Sequence, residues 1–310
     1  MTALLGLLVG SCEFFELDLT QDPDAVALSD ANPDYALNSM QIDFKNFLND
    51  DDPANWNGVN KFGMEVVRMM NPWGGTYENA YNPQDFDANW AYAYEGLLMD
   101  AHTFVPIYEE KEWWIHAGIT KVLQAYTLVT LVDFYGDVPW TESFDAANFN
   151  PVADDDVSVY SVARALLDEA IEDLDKDALA TPANDLFYDG DTEAWTTLAN
   201  TLKLKIHLNL RLVDPGGATS AINSLISGND LISEPAQNWV FEYSRNTDNP
   251  DSRHPYFTYN YLNGGEDYMA NYFMWTLYSE KSVVDPRMRY YFYRQVIESS
   301  TEVTAVSYTH

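Results

Sequence analysis

Apolar residues return every three or four positions through most of this chain, and that rhythm restricts it to helices packed on helices. Between Asp156 and Leu174 the stripe runs Val159, Val162, Ala163, Leu166, Leu167, Ala170, Ile171 and Leu174. Between Glu112 and Phe134 it is carried by Ile115, Ile119, Val122, Tyr126 and Val129, and Gly136 and Pro139 supply a stop and an exit. A third segment, about Glu193–Leu212 with Thr192 as its cap, turns Trp195, Leu198, Leu202, Ile206 and Leu210 inward.

Other segments obey the same logic. Asn32-Pro33 places a capping residue before a Pro at the first helical position, predicting a helix through Tyr35, Met40, Phe44 and Leu48. Further helices are expected at Val59–Met70, Asp85–Tyr108 and Ala218–Ile226. Two-residue alternation is scarce. Paired helices with short connections read as a mostly α, solenoid-like core of the tetratricopeptide kind. From about Ser233 to Gly265 the chain becomes rich in aromatic residues, Asn and Gly, and reads as long loops on that scaffold.

With 310 residues and 46% apolar content the chain can bury a full core. Its 49 acidic residues against 16 basic ones give a formal charge of −33. Such a surface repels phosphate backbones and argues against nucleic-acid binding, and it offers no basic patch for anionic lipid. The runs Asp50–Asp52 and Asp154–Asp156 lack the spacing of a calcium loop and are read as solvated turns or helix caps. No apolar stretch is read as a membrane span.

The lone cysteine matters by position. An apolar run, Ala3 to Val9, leads through Gly10 and Ser11 to Cys12, with no Lys or Arg before it. Small residues ahead of a Cys form a lipobox: the thiol takes a diacylglycerol thioether after signal cleavage. Residues 1–11 are therefore expected to be a lipoprotein signal peptide whose basic start is clipped, 12–31 an acidic tether, and 32–310 the helical domain. Cys12 would be the lipid anchor.

Two loops offer ligand chemistry. Sugars present flat C–H faces ringed by hydroxyls, so a site for them needs exposed rings beside hydrogen-bonding side chains. The first loop holds Asn71, Trp73, Tyr77, Glu78 and Asn79, with Gly74 and Gly75 allowing close approach. The second, Tyr256 to Tyr268, holds Tyr259, Asn260, Tyr261, Asn263 and Asp267. The same rings could equally pack the loops onto the helices. Catalysis has no comparable signal. The five histidines, His102, His116, His207, His254 and His310, form no metal-ligand pattern, and there is no phosphate loop or nucleophile elbow. No enzyme activity, metal or cofactor is expected.

Five stretches, in order, resemble the SusD/RagB family of Bacteroidetes outer-membrane lipoproteins. They are the lipobox Val9-Gly10-Ser11-Cys12, the segment Leu17–Pro23, Leu131–Trp140 with its Tyr-Gly-Asp-Val-Pro turn, Ala199–Lys205, and Asp285-Pro286-Arg287. The resemblance implies tetratricopeptide-like helix pairs beside an irregular ligand-binding region. It implies a lipid-anchored protein on the cell surface, bound to the outer membrane, that passes glycans or peptides to a SusC-like TonB-dependent transporter. Family members are longer, so it also implies that the domain is C-terminally incomplete. A lipid-anchored helical glycoside hydrolase and a helical-repeat scaffold that binds only protein are the alternatives.

Overall fold

The computed structural model describes residues 31–49, 58–71, 81–248, 251–257 and 268–291, without the side chains of 289 and 290. Met1–Asn32 and Pro33–His310 form separate units, and the helical domain is the second. The expected signal peptide, Cys12 and the tether to 30 lie outside the described residues.

Helix α1 spans Pro33–Leu48, as its Pro and apolar spacing predict, and buries Leu37, Met40, Phe44 and Phe47 at no more than 2% exposure. Helix α2, Val59–Val66, stops short of the expected Met70. Arg68 adopts a left-handed φ of 60°, and the backbone N–H groups of Met69 and Met70 both donate to the Met64 carbonyl (2.7 and 3.1 Å). That wrapped turn satisfies the last carbonyls and sends Met70 sideways out of the helix.

The helix expected over Asp85–Tyr108 is broken into three parts. A 3-10 turn at Pro83–Phe86 leads into α3 (Asp87–Ala91), a π-helical stretch over Tyr92–Leu98, and α4 (Met99–Glu110). Gly96, within the π stretch, leaves room for α1: a Cβ there would sit 2.6 Å from Asp43 Oδ2.

Helix α5, Trp114–Tyr135, is the axis of the domain. It is long and apolar enough to cross a bilayer, contrary to the expectation from the sequence, but 94% of its most apolar window is buried within the protein. Its composition is that of a helix surrounded on all sides: α4, α6, α1 and α7 all pack on it, α6 most extensively. Lys121, 4% exposed in this apolar setting, is held by Glu109 (2.6 Å), Asp173 (2.7 Å) and Glu169 (3.3 Å). Gly136, at φ 78° and ψ −124°, ends the helix in a conformation closed to L side chains, as the Tyr-Gly-Asp turn requires.

A two-strand antiparallel ribbon comes next, β1 (Val138–Pro139) on β2 (Ala153–Asp154). Helix α6 spans Asp156–Leu174, matching its predicted bounds, and Asp155 caps it by accepting from the N–H groups of Val157 and Ser158. Asp154 secures the ribbon by accepting from the N–H groups of Trp140 (2.7 Å) and Thr141 (2.9 Å). The acidic run at 154–156 is thus a cap and a turn, as read; Asp50–Asp52 lies outside the described residues.

Helix α7 covers Thr192–Leu210, and its cap is Asp191 rather than Thr192: the Asp191 carboxylate accepts from Glu193 N–H (3.0 Å) and Ala194 N–H (3.1 Å). Helix α8, Pro215–Gly228, is longer than expected because Asp214 caps it, Pro215 takes the first position, and Asn229 closes it at a left-handed φ of 54°. Helices α4 to α8 each pack on their neighbour in sequence.

One carboxylate ties the α6–α7 connection to the core. Asp185, 4% exposed, accepts from Gln41 Nε2 (2.6 Å), Trp195 Nε1 (2.7 Å) and the backbone N–H groups of Phe187 (3.2 Å), Tyr188 (3.2 Å) and Gly190 (2.9 Å). After α8 the chain is irregular, as expected, apart from a 3-10 turn at Pro235–Gln237 and short helices α9 (Pro255–Phe257), α10 (Asn271–Tyr278) and α11 (Met288–Tyr291).

Candidate functional site

A cleft of about 940 Å³ opens where the irregular C-terminal segment meets α1 and α2. One wall is the last turn of α1, with Phe44, Lys45, Leu48 and Asn49; the next is α2 and its wrapped turn, with Met64, Met69 and Met70. The floor is aromatic. Trp239, Phe241 and Tyr243 lie on one face of an extended segment, while Val240 and Glu242 between them are exposed. Trp239 stacks on Phe44 with centroids 4.9 Å apart, and Phe187 closes the corner at 5.5 Å from Trp239. The Asp185 carboxylate holds Phe187 in place from behind through its backbone N–H. The far side comes from Tyr256, Met269, the α10 residues Phe273 and Leu277, and Arg287.

Polar groups also line the cleft. Lys45, 6% exposed, places its ammonium 5.7 Å from the ring centroids of both Phe241 and Tyr243. The Asn49 amide meets the Tyr243 hydroxyl at 3.1 Å and His254 Nε2 at 3.0 Å. His254 Nδ1 accepts from Tyr256 N–H (3.1 Å), so in the neutral ring the proton is on Nε2. Arg287 is oriented by Asp285, itself 5% exposed, through Nε (3.0 Å) and Nη2 (2.7 Å), with Lys281 on the same carboxylate. These cations hold the Asp285 carboxyl well below its ordinary range, Arg287 first and Lys281 next. The Asp-Pro-Arg stretch singled out in the sequence thus supplies part of the cleft wall.

The two loops chosen from the sequence share one root. Met70 and Met269 form an isolated antiparallel bridge, Asn71 N–H donates to the Tyr268 carbonyl (2.8 Å), and Ala270 N–H donates to the Met69 carbonyl (3.0 Å). Segments 71–79 and 256–268 therefore both end at this bridge on the cleft margin. Of the candidate residues, Asn71 sits at the bridge and is exposed. Trp73, Tyr77, Glu78, Asn79, Tyr259, Asn260, Tyr261, Asn263 and Asp267 lie outside the described residues.

The other described histidines are accounted for by packing. His116 is buried on α5 with Nε2 3.1 Å from Asp34 Oδ1; burial lowers its pKa and outweighs the carboxylate. His207 is also lowered, by burial first and then by Arg164 and Lys203. His102 stacks on Phe144 at 4.9 Å. Among the described residues the carboxylates close enough to share a cation are Asp137, Asp155 and Asp156, all exposed, with Asp155 occupied as a helix cap.

Lys45, Asn49, Trp239 and His254 were not anticipated. Trp239, Phe241 and Tyr243 did leave a trace, the two-residue alternation of rings across 239–243, inside a region otherwise read only as loop.

Comparison with solved structures places this architecture. A SusD/RagB family protein from Bacteroides thetaiotaomicron is 20% identical with a TM-score of 0.62, covering 77% of this chain and 50% of that one. A SusD homolog from Bacteroides vulgatus is 18% identical with a TM-score of 0.66, covering 86% and 55%. A chitin-binding SusD homolog from Flavobacterium johnsoniae is 17% identical with a TM-score of 0.64, covering 84% and 54%. The chain therefore spans about half the length of the solved structures it matches. No protein of curated function matches the sequence. Residues 25–308 match the family described as SusD-like, starch-binding associating with outer membrane, and with the helical stack and the Asp-Pro-Arg wall in place, the chain belongs to that SusD-like family.

Proposed function

We propose that this chain is a non-catalytic, cell-surface lipoprotein, anchored in the outer membrane through Cys12, that binds glycans or peptides at the cleft. It would hand them to a SusC-like TonB-dependent transporter. The observation that supports the ligand site is the Met70–Met269 bridge: it joins, at the cleft margin, the described ends of the two segments from which the aromatic and Asn candidates were chosen. Ring faces and amides around a concave floor suit sugar stacking and hydroxyl recognition. The chitin-binding relative is in keeping with a glycan as cargo. Trp73, Tyr77, Asn79, Tyr259, Tyr261, Asn263 and Asp267 are the proposed loop contacts, with Asn71 at their root.

Isothermal titration against a panel of oligosaccharides and peptides tests this reading. A hit that weakens about tenfold in Trp73→Ala is expected, the scale of one aromatic stacking contact. Release of new reducing ends from the bound glycan would overturn the non-catalytic assignment. Cys12→Ala should move the protein from the membrane fraction to the soluble fraction; an anchored variant would refute the lipid tether.

A further inference from the structure

The loop that joins β1 to β2, residues 140–152, is held in place along its length yet leaves an aromatic ring in solvent. Phe149 is 95% exposed, more than any other large apolar side chain among the described residues, and Val152 close by is 67% exposed. The foot of the loop is locked to the core. Trp140 and Phe144 pack on the core cluster, Phe144 stacks on His102 of α4 at 4.9 Å, and the Tyr94 hydroxyl donates to the Pro139 carbonyl (2.7 Å).

One carboxylate clasps the tip. Glu142 Oε2 accepts from Asn148 Nδ2 (2.8 Å) and from Val152 N–H (3.2 Å), holding the chain on both sides of Phe149. Asn148 Oδ1 accepts in turn from Asn150 N–H (3.1 Å), and Pro151 fixes the next φ. A ring so exposed contributes little to the fold, because it removes almost no apolar surface from water. On a backbone ordered in advance it has the form of a binding anchor, since little further entropy is lost when it docks.

The surroundings narrow what can receive it. Residues 137–156 include Asp137, Glu142, Asp145, Asp154, Asp155 and Asp156 and no Lys or Arg. A second copy brought up by the same loop would set carboxylates against carboxylates, and phosphate-bearing lipid is repelled in the same way. A saccharide site needs a concavity, which a ring exposed on all sides does not offer. A protein surface with an apolar pocket and a basic rim matches both the ring and the charge.

We propose, resting on the reading that this chain serves a SusC-like transporter, that the 140–152 loop is its docking site on that barrel. Phe149 fills an apolar pocket there, and Lys and Arg around the pocket face Glu142, Asp145 and Asp137. None of residues 140–152 lines the cleft, so docking and cargo binding use different surfaces.

The test uses the full chain and a SusC-like barrel purified in detergent from the same bacterium, with binding followed by biolayer interferometry. Phe149→Ala should weaken binding at least tenfold, as loss of a central aromatic anchor does, with the melting temperature unchanged. Leu179→Ala, at a site 73% exposed on the α6–α7 connection, should bind as wild type. High salt should slow association, because the acidic loop is drawn to a basic rim.

Wild-type affinity in Phe149→Ala would overturn the docking site and leave the transporter reading intact, whereas no binding of the wild type to the barrel would overturn both. Association indifferent to salt would overturn the basic rim. Phe149-dependent sedimentation of Cys12→Ala with phosphatidylcholine–phosphatidylglycerol vesicles would assign the ring to a membrane. A concentration-dependent dimer lost in Phe149→Ala would assign it to a second copy, and either result would overturn the proposal.

Discussion

Replacing Asp185 should loosen both the fold and the back of the cleft. Its two carboxylate oxygens receive five hydrogen bonds, two from side chains that are themselves inaccessible, Gln41 and Trp195 at 0% exposure. The other three come from backbone N–H groups of Phe187, Tyr188 and Gly190. Hydrogen bonds to a charged acceptor contribute about 1.5–3 kcal/mol each, and a buried donor left without a partner costs about 1–3 kcal/mol. The five do not add, because once the carboxylate is gone the 185–190 loop can open to water and rehydrate its backbone.

The indole N–H of Trp195 and the amide of Gln41 cannot do this without unpacking α7 and α1. Asp185→Ala is therefore expected to cost about 3–5 kcal/mol. Asp185→Asn keeps one acceptor oxygen but turns an NH₂ toward donors, at about 2–3 kcal/mol. Urea unfolding monitored by tryptophan fluorescence measures both, and the order wild type, Asn, Ala is the signature. A loss below about 1 kcal/mol for Asp185→Ala would refute the claim that this carboxylate ties the loop to α1 and α7.

Three other perturbations probe the helical stack. Burial, and then the neighbouring Asp100 carboxylate, push the Asp43 carboxyl from 3.8 up to about 6. The folded state then holds the proton more tightly than the unfolded one, so this contribution to stability is lost as pH rises from about 4 to 6. The penalty is about 3 kcal/mol at face value and about half that with water screening the partly exposed group. Asp43→Asn should raise stability at pH 7 and flatten that slope; an unchanged pH profile would count against it.

Lys121→Met should cost about 3 kcal/mol, since Asp173 keeps Lys176 (2.7 Å) as its partner, and adding Asp173→Leu should recover much of the loss in chemical denaturation. No recovery would mean that the ion pair is not the source. Gly136→Ala meets no atom within 4 Å but cannot easily adopt φ 78°, so a cost of about 1–3 kcal/mol is expected from backbone strain alone. An unchanged melting temperature would refute it.

Local signals made most helices legible in the sequence, although the Asp214-Pro215 start and Asn229 stop of α8 were local and were missed. Asp156–Leu174 matches its predicted bounds because its apolar stripe and the acidic residue before it act within one helix. Gly136 was readable for the same reason, as a left-handed stop. The other errors came where a partner elsewhere in the chain decided. In the π stretch at Tyr92–Leu98 it is Gly96 that leaves room for Asp43 of α1, and nothing near Tyr92 announces that contact. Helix α10, Asn271–Tyr278, was not foreseen, because half of its eight residues are aromatic and its short period is hard to distinguish from loop.

The candidate site divides along the same line. Ring-rich loops at 71–79 and 256–268 could be chosen from composition, since stacking chemistry is a property of the side chains themselves. Their common root at the Met70–Met269 bridge could not, because no local pattern pairs residues so far apart in sequence. Nothing in the sequence singled out Lys45; only the return of Phe241 and Tyr243 over it makes it a buried cation in an aromatic cleft. By itself the sequence determined the helical class and the chemistry the loops carry, both set by local spacing and residue type. The tertiary structure alone decided which walls meet, because the contact free energy of a cleft belongs to pairs of segments and not to either one.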